Sequence, residues 1–310
     1  MKTPVIDLHC DLLAYLNEDR QNNGPMDEAS RCSLPLLEKG GVFFQALAVF
    51  TELGVGSRKK AEEQIECFYE KVKNNSLAKT EFALAIESCS SLLEEDEPFD
   101  LLFDRFDQEK WLYLSLTWKE ENRFGGGDQS KVGLKRDGEI LLEYMDGKGS
   151  AIDLSHASDA LAEGIFNHID KRGLQITPIA SHSNFRAIKD HPRNLPDAFA
   201  KEIIARRGVI GINFVRHFVG NHPEDFLRHI HHGIALGGEE TLALGADFFG
   251  GIPIPAIEHL KPFYQVEFSN SSCYHSFEKL IEKEISKEQI KNLFFNNVKR
   301  NLTLCLQKLN

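Results

Sequence analysis

The sequence predicts an α/β protein built as one (β/α)8 barrel over residues 1–310, with a helical extension at its C-terminal end. Three observations favour this fold. Short apolar or β-branched runs recur along the chain, most of them precede a segment with helical periodicity, and no linker or low-complexity tract interrupts the series. Such runs are typical of parallel strands buried on both faces. A barrel of this length is ordinary for a single domain.

Eight segments are predicted to be strands, namely Val5–His9, Val42–Phe50, Phe82–Glu87, Trp111–Trp118, Ala151–Ser155, Thr177–Ser181, Val209–Phe214 and Thr241–Asp247. Helical periodicity follows several of them, at Lys59–Lys73, Ala157–Ile169, Pro196–Arg206 and Pro223–Ala235. A doubly wound open sheet can also hold eight strands, so the number of strands alone does not establish that the sheet closes.

The tail from residue 276 to residue 310 is predicted to be helical and to pack on the outside of the barrel. Ser286 and Gln289 have the spacing of a capping box, and Ile290, Leu293 and Phe294 follow on one helical face. A helix with one apolar face needs a partner surface to bury it.

Composition narrows the class of function. A net charge of −11 without a basic stripe argues against a nucleic-acid partner. The longest apolar stretch is too short to span a bilayer, and the N-terminal residues leave no room for a secretory signal. Six scattered cysteines without a C-x-x-C pair predict reduced thiols. We therefore expect a cytoplasmic protein with neither a membrane nor a nucleic acid as partner.

The carboxyl ends of the predicted strands carry three histidines and three acids, namely His9, Asp11, Glu87, His156, His182 and Asp247. Taken singly, each has a common structural explanation, because a histidine at a strand end is usually hydrogen-bonded and an aspartate often caps a helix. Together they would meet at the carboxyl end of the barrel, where buried negative charge is costly unless cations neutralise it. Imidazole and carboxylate ligands without thiolate suit zinc, manganese, iron or cobalt.

At these residues the sequence resembles the membrane dipeptidase (renal dipeptidase) family of the amidohydrolase superfamily. The matching stretches run in family order and comprise Ile6–Asp11, Ala85–Glu87, Leu114–Thr117, Ile152–Ser158, Pro178–Ser183, Asp190–Asp197 and Gly245–Phe248. The H-x-D pattern at the first strand also separates this family from relatives that carry H-x-H there. The likeness covers nearly the whole predicted barrel.

The resemblance implies a pair of metal ions, zinc or other divalent cations. His9 and Asp11 would bind the first ion, His156 and His182 the second, and Glu87 would bridge both. A hydroxide bridging the two ions would then attack the scissile carbonyl of the substrate. Family members often pair, so the resemblance also implies a possible homodimer.

The resemblance assigns two further residues to the reaction. Asp247 would take the proton of the attacking water and return it to the leaving amine. Arg193 would receive the substrate carboxylate with its planar guanidinium. A free C-terminus held so close to the metals restricts substrates to very short peptides. The expected activity is therefore that of a zinc-dependent dipeptidase, with L-D dipeptides among the possible substrates.

One position departs from the family pattern. Trp118 stands where well-studied members carry a substrate-contacting histidine, and tryptophan offers only an N–H donor. We interpret Trp118 as a substrate-contacting residue and Asn122 or Arg123 as the source of the missing donor. The departure keeps two alternatives open: another metal-dependent amidohydrolase acting on a cyclic amide or lactone, and a degenerate barrel without catalytic activity.

Overall fold

The computed structural model describes residues 3–309, and its eight strands are all parallel. They are β1 (Val5–Cys10), β2 (Val42–Phe50), β3 (Glu81–Glu87), β4 (Trp111–Ser115), β5 (Ala151–Asp153), β6 (Pro178–Ile179), β7 (Ile210–Ile212) and β8 (Leu242–Leu244). Each predicted strand segment overlaps one of them. Strands β4 to β8 end two or three residues earlier than predicted, because the chain leaves the hydrogen-bonded ladder before it reaches the polar residues that follow.

The sheet closes into a barrel. Its strand order is β6-β5-β4-β3-β2-β1-β8-β7, and the two outer strands meet through a parallel bridge between Ala180 and Ile210. The amide of Ala180 donates to the carbonyl of Val209 at 2.9 Å, and the amide of Gly211 donates to the carbonyl of Ala180 at 2.8 Å. A Cβ atom at Gly211 would lie 1.9 Å from the carbonyl oxygen of Ser181, so only glycine permits this approach. The barrel prediction is confirmed over the open-sheet alternative.

The α-helices are α1 (Leu12–Glu18), α2 (Leu34–Gly40), α3 (Ser57–Cys67), α4 (Leu101–Gln108), α5 (Arg136–Met145), α6 (Asp159–Arg172), α7 (Asp197–Ala205), α8 (Arg216–Val219), α9 (Glu224–Ala235), α10 (Tyr274–Ile281), α11 (Lys287–Lys291), α12 (Asn297–Asn301) and α13 (Thr303–Leu309). Two π-helical segments, at Phe68–Lys73 and Asn292–Asn296, extend α3 and join α11 to α12. The four predicted connecting helices are confirmed as α3, α6, α7 and α9. Within residues 3–309, no helix is both long enough and apolar enough to cross a membrane.

The C-terminal helices close the amino end of the barrel. Val298, Leu302 and Cys305 belong to the same buried cluster as the residues of the strands. The side-chain amide of Asn297 donates to the carbonyls of Glu239 and Leu242, at 2.9 and 2.8 Å, where β8 begins. The tail therefore closes one end of the barrel, whereas the sequence predicted only that it packs on the outside. The opposite end, where the strands finish, stays available for a site.

The capping box predicted in the tail is confirmed. Ser286 accepts a hydrogen bond from the amide of Gln289 through its hydroxyl, and the side chain of Gln289 accepts one from the amide of Ser286. Ile290, Leu293 and Phe294 are buried, which shows the apolar face that the spacing predicted. Local sequence therefore fixes where α11 begins.

Candidate metal centre

The structure brings the six predicted polar residues together at the carboxyl end of the barrel. We call them the ligand cluster: His9, Asp11, Glu87, His156, His182 and Asp247. Their donor atoms form three overlapping groups within 4.8 Å, which are His9 with Asp11 and Glu87, Glu87 with His156 and His182, and His9 with His182 and Asp247. Five of the six residues are buried and His156 is nearly so. Residues from five strand ends thus share one pocket.

Glu87 lies between two sets of imidazoles. Its Oε1 atom is 2.8 Å from Nε2 of His156 and 3.6 Å from Nε2 of His182. Its Oε2 atom is 3.4 Å from Nε2 of His9. The Nε2 atoms of His156 and His182 are themselves 3.2 Å apart. One carboxylate therefore presents a separate oxygen to each set, which is the geometry required of a bridging ligand.

Tyr113 fixes the orientation of His9. Its hydroxyl donates to the carbonyl of Leu8 at 2.8 Å and lies 2.7 Å from Nδ1 of His9. Because the single hydroxyl proton is used on Leu8, Nδ1 of His9 must be the donor in the second contact. Its Nε2 atom is then unprotonated in the neutral ring and points into the ligand cluster. This is the form in which imidazole binds a metal.

Ser181 and Asp153 fix His182 in the same way. The hydroxyl of Ser181 donates to Oδ2 of Asp153 at 2.6 Å and lies 2.6 Å from Nδ1 of His182. Nδ1 of His182 therefore donates to Ser181, which leaves the Nε2 lone pair facing Glu87. Both partners are fully buried, so water does not compete for these bonds. This support was not predicted, although serine directly precedes the histidine in the sequence.

Removing the Tyr113 hydroxyl tests this orientation. We expect Tyr113→Phe to weaken zinc binding about 10- to 100-fold, because His9 loses the acceptor that fixes its tautomer. Competition with a chromogenic chelator measures the affinity. Tyr144→Phe is the matched control, since its hydroxyl pairs with the exposed carboxylate of Asp107. Equal zinc affinity in Tyr113→Phe and the control would show that the hydroxyl does not support the metal centre.

The burial and the charges of the ligand cluster are those expected of a site that binds cations. Burial disfavours the charged form of His9, but the carboxylates of Glu87, Asp11 and Asp247 outweigh it and raise its pKa to about 10. Burial, reinforced by the charge of Glu87, raises the pKa of Asp11 well above its usual range. Among the described residues 3–309, Nε2 of His9 and Oδ1 of Asp11 are buried and have no hydrogen-bond partner. Buried, unpartnered imidazole and carboxylate atoms at this spacing are a donor set suited to divalent metals.

Asp247 is held at the edge of the cluster by two neighbours. The amide of Asn213 donates to its Oδ2 at 2.8 Å, and the hydroxyl of Tyr264 donates to its backbone carbonyl at 2.6 Å. Its Oδ1 lies 3.8 Å from Nε2 of His9, and burial raises the pKa of Asp247 to about 6. Asn213 directly follows β7, so the rule applied to the other strand ends would have found it.

Two residues of the cluster adopt a left-handed backbone. The φ angle is +68° at His156 and +62° at Asp247. Residues other than glycine occupy this region at a cost of roughly 1–2 kcal/mol each. The conformation turns both side chains towards the cluster just after β5 and β8. Strain of this kind is typical of functional sites.

Arg193 lies beside His182 with its guanidinium buried. Nη1 donates to the hydroxyl of Ser183 at 2.8 Å, and Nη2 donates to the carbonyl of His182 at 2.9 Å. Nε is buried without a partner, and the guanidinium carbon lies 5.7 Å from the ring centroid of Phe218. The residue predicted to receive a carboxylate is therefore next to the ligand cluster, and its Nε–H group is uncommitted.

Trp118 lies at the wall of the pocket. Its ring centroid is 6.1 Å from that of His156 and 4.9 Å from that of Phe50, which it meets edge-on. The side chain is half-buried, and it borders the same cavity as the ligand cluster. The structure therefore places this side chain where a substrate bound at the cluster would touch it.

The role of Asn122 or Arg123 as a substrate donor stays a prediction, and the structure shows both side chains engaged within the protein. Asn122 is 4% exposed, and its amide donates to the carbonyl of Leu116 at 2.8 Å and to the hydroxyl of Ser90 at 3.1 Å. Its oxygen accepts from two backbone amides of its own loop. The guanidinium of Arg123 is bound by Asp137 and by two backbone carbonyls. Both side chains organise the loop, and the side-chain amide of Asn122 is fully used in doing so.

Comparison with known proteins gives one family match. The family model for membrane dipeptidase (peptidase family M19) matches residues 1–304. An uncharacterized dipeptidase of Schizosaccharomyces pombe is 28% identical over 200 residues, which are 61% of this chain and 45% of the relative. The chain thus spans about half the length of the curated relatives it matches, with 43% to 55% of each covered.

Solved structures share the fold. A metallopeptidase from Rhodobacter sphaeroides, liganded with a phosphinate mimic of the dipeptide L-Ala-D-Ala, superposes with a TM-score of 0.81 at 18% identity, covering 99% of this chain and 100% of that one. The probable dipeptidase PvdM from Pseudomonas aeruginosa superposes with a TM-score of 0.77 at 14% identity, covering 99% and 96%. At these identities the likeness concerns the arrangement of the barrel.

Proposed function

This chain belongs to the membrane dipeptidase family, peptidase family M19, and from that premise we propose that it is a binuclear metal-dependent dipeptidase. The observation that carries the proposal is Glu87, whose two carboxylate oxygens face separate sets of imidazoles. In the proposal His9 and Asp11 hold one divalent cation, and His156 and His182 hold the other. Zinc is the cation that we propose, since imidazole nitrogen and carboxylate oxygen are among its usual ligands and the resemblance implies it.

Bound in this way, two divalent cations would supply hydroxide from a shared water at neutral pH and polarise the scissile carbonyl. In the proposal Asp247 transfers the proton of the attacking water. Asn213 fixes its Oδ2, while its Oδ1 faces the cluster without a hydrogen bond from the protein. A carboxylate in this position can accept a proton from the attacking water and pass it to the departing amine.

Arg193 supports the proposed substrate length. A carboxylate bound at this buried guanidinium would lie next to His182, and thus within a few bonds of the reacting centre. In the proposal a free C-terminus held there lies one residue away from the scissile bond. The proposed substrates are therefore dipeptides, including pairs whose second residue is D.

We also propose an oligomeric state and a cellular location for the protein. A homodimer is proposed from the family resemblance. A cytoplasmic location is proposed from the cysteines, all six of which are buried and unpaired.

A substrate panel tests the activity. Full-length protein loaded with zinc is incubated with L-L and L-D dipeptides, a lactone and a cyclic amide, and the products are separated by chromatography. We expect hydrolysis of dipeptides and its loss after chelation. Turnover of the lactone or cyclic amide instead would favour the alternative amidohydrolase. Bound zinc without any turnover would favour the degenerate barrel, which Trp118 motivates.

Replacing Arg193 with alanine distinguishes a dipeptidase from the alternative metal-dependent hydrolases. We expect Arg193→Ala to lower kcat/KM for dipeptides about 100-fold or more, because a buried ionic contact with the substrate is lost. The variant should no longer prefer a dipeptide over its C-terminal amide, whereas the unmodified protein should. Arg206→Ala is the control, since that arginine pairs with Asp170 and Glu202 at the surface. An unchanged acid-to-amide preference would contradict the assignment.

A further inference from the structure

A small chamber borders the ligand cluster and is otherwise apolar. Its floor is formed by Asp11, Glu87, His156 and Asp247. Its walls and roof are formed by aromatic and aliphatic side chains, among them Phe50, Val215, Phe218, Ile254, Ile257 and Phe263. We call this space the apolar chamber. Apart from the floor, no residue lining it in the described part of the chain carries a charge.

The size of the apolar chamber indicates what fits in it. It encloses 60 Å³, whereas pockets that hold a whole small ligand usually measure roughly 300 Å³ or more. The chamber therefore suits one side chain of a substrate whose backbone lies along the floor. The reacting atoms would remain at the ligand cluster, outside the apolar part.

The roof is part of the folded structure at both of its ends. It is the segment that follows β8, from Phe249 to Phe263. The hydroxyl of Tyr264 accepts from the amide of Phe249 at 2.9 Å and donates to the carbonyl of Asp247 at 2.6 Å. The amide of Arg216 donates to the carbonyl of Phe263 at 2.7 Å. These bonds tie the apolar roof to the residue proposed to move the proton.

We infer that the apolar chamber receives an uncharged aliphatic or aromatic side chain of the dipeptide, so that the enzyme selects apolar residues at one of the two substrate positions. The inference rests on the proposed function and names the substrate class. A lysine or aspartate side chain in the chamber would lose its hydration against hydrocarbon and find no counter-ion in the walls. In the proposed function the floor carboxylates would hold the cations and take up the proton, so they would not be available to a substrate ammonium group.

Two matched series of dipeptides test the inference with the zinc-loaded full chain. One series is alanyl-leucine, alanyl-lysine and alanyl-aspartate, and the other is leucyl-alanine, lysyl-alanine and aspartyl-alanine. At one position we expect kcat/KM for leucine to exceed that for lysine and aspartate by about 100-fold. Charged residues accepted within a few-fold of leucine at both positions would overturn the inference. Hydrolysis of none of the six would instead contradict the dipeptidase proposal itself, which separates the two failures.

A charge placed in the roof tests the chamber directly. Ile257→Asp should raise the lysine-to-leucine ratio of kcat/KM at the selective position by about 10-fold or more, because the new carboxylate supplies the missing counter-ion. Val266→Asp is the control, since Val266 is 88% exposed and lies outside the chamber. Thermal unfolding of both variants checks that they fold. A folded Ile257→Asp with the original ratio would overturn the chamber as the selective element, and the series on the unmodified protein stands independently of this variant.

Discussion

Replacing Glu87 with glutamine is expected to lower bound zinc from about two equivalents to below one and to reduce dipeptide hydrolysis by about 1000-fold or more. The side chain contacts both sets of imidazoles, through Oε1 at 2.8 Å from His156 and Oε2 at 3.4 Å from His9. Glutamine keeps the shape but offers one oxygen and no charge. Both cations should therefore be lost together.

Elemental analysis after dialysis measures the zinc content of the Glu87→Gln variant. Glu81→Gln is a matched control, because Glu81 begins the same strand and is exposed at the other end of the barrel. Full zinc content in Glu87→Gln would show that the carboxylate does not bridge. Loss of a single equivalent would show that it belongs to one metal only.

Replacing Asp247 with asparagine is expected to lower kcat about 100- to 10,000-fold with the zinc content unchanged. The amide keeps the size of the side chain and an oxygen that can accept from Asn213, but it cannot accept a proton. Asp247 also lies within 4.8 Å of donor atoms on His9 and His182, so the structure allows a second role as a ligand. The zinc measurement separates the two roles.

Steady-state rates and zinc content are measured on the same preparation of Asp247→Asn. Asp170→Asn serves as the control, because that carboxylate pairs with Arg206 at the surface. If zinc is lost in proportion to activity, Asp247 acts as a metal ligand. If activity persists near the unmodified rate, the proton leaves by another group.

The ligand cluster could be predicted because residues that directly follow the parallel strands of a barrel all lie at the same end of it. Apolar runs identified the strands, and a polar residue after each run had to lie at the same end of the barrel. His9, Glu87 and His182 were found in this way without any knowledge of distances. The register of the strands and the closure at Ala180 and Ile210 then brought them together.

The supporting residues could not be predicted as easily, because their partners are remote in sequence. Tyr113 contacts His9 across 104 residues, and nothing in its own strand marks it as polar support. Asn122 shows why a polar loop residue is harder to assign. A polar residue in a loop near the site suggested a substrate donor, but loop backbone groups need partners too, and the side-chain amide of Asn122 pairs with three of them and with the hydroxyl of Ser90.

The left-handed backbone at His156 and Asp247 lowers the stability of the fold, but it orients two side chains of the ligand cluster. Glycine at either position would relieve roughly 1 kcal/mol of conformational strain and, at Asp247, would also remove a buried negative charge from a crowded pocket. Glycine at these positions would therefore favour folding but would remove side chains that we propose to act in the reaction. Any programme to make the barrel more heat-resistant has to leave these two positions untouched.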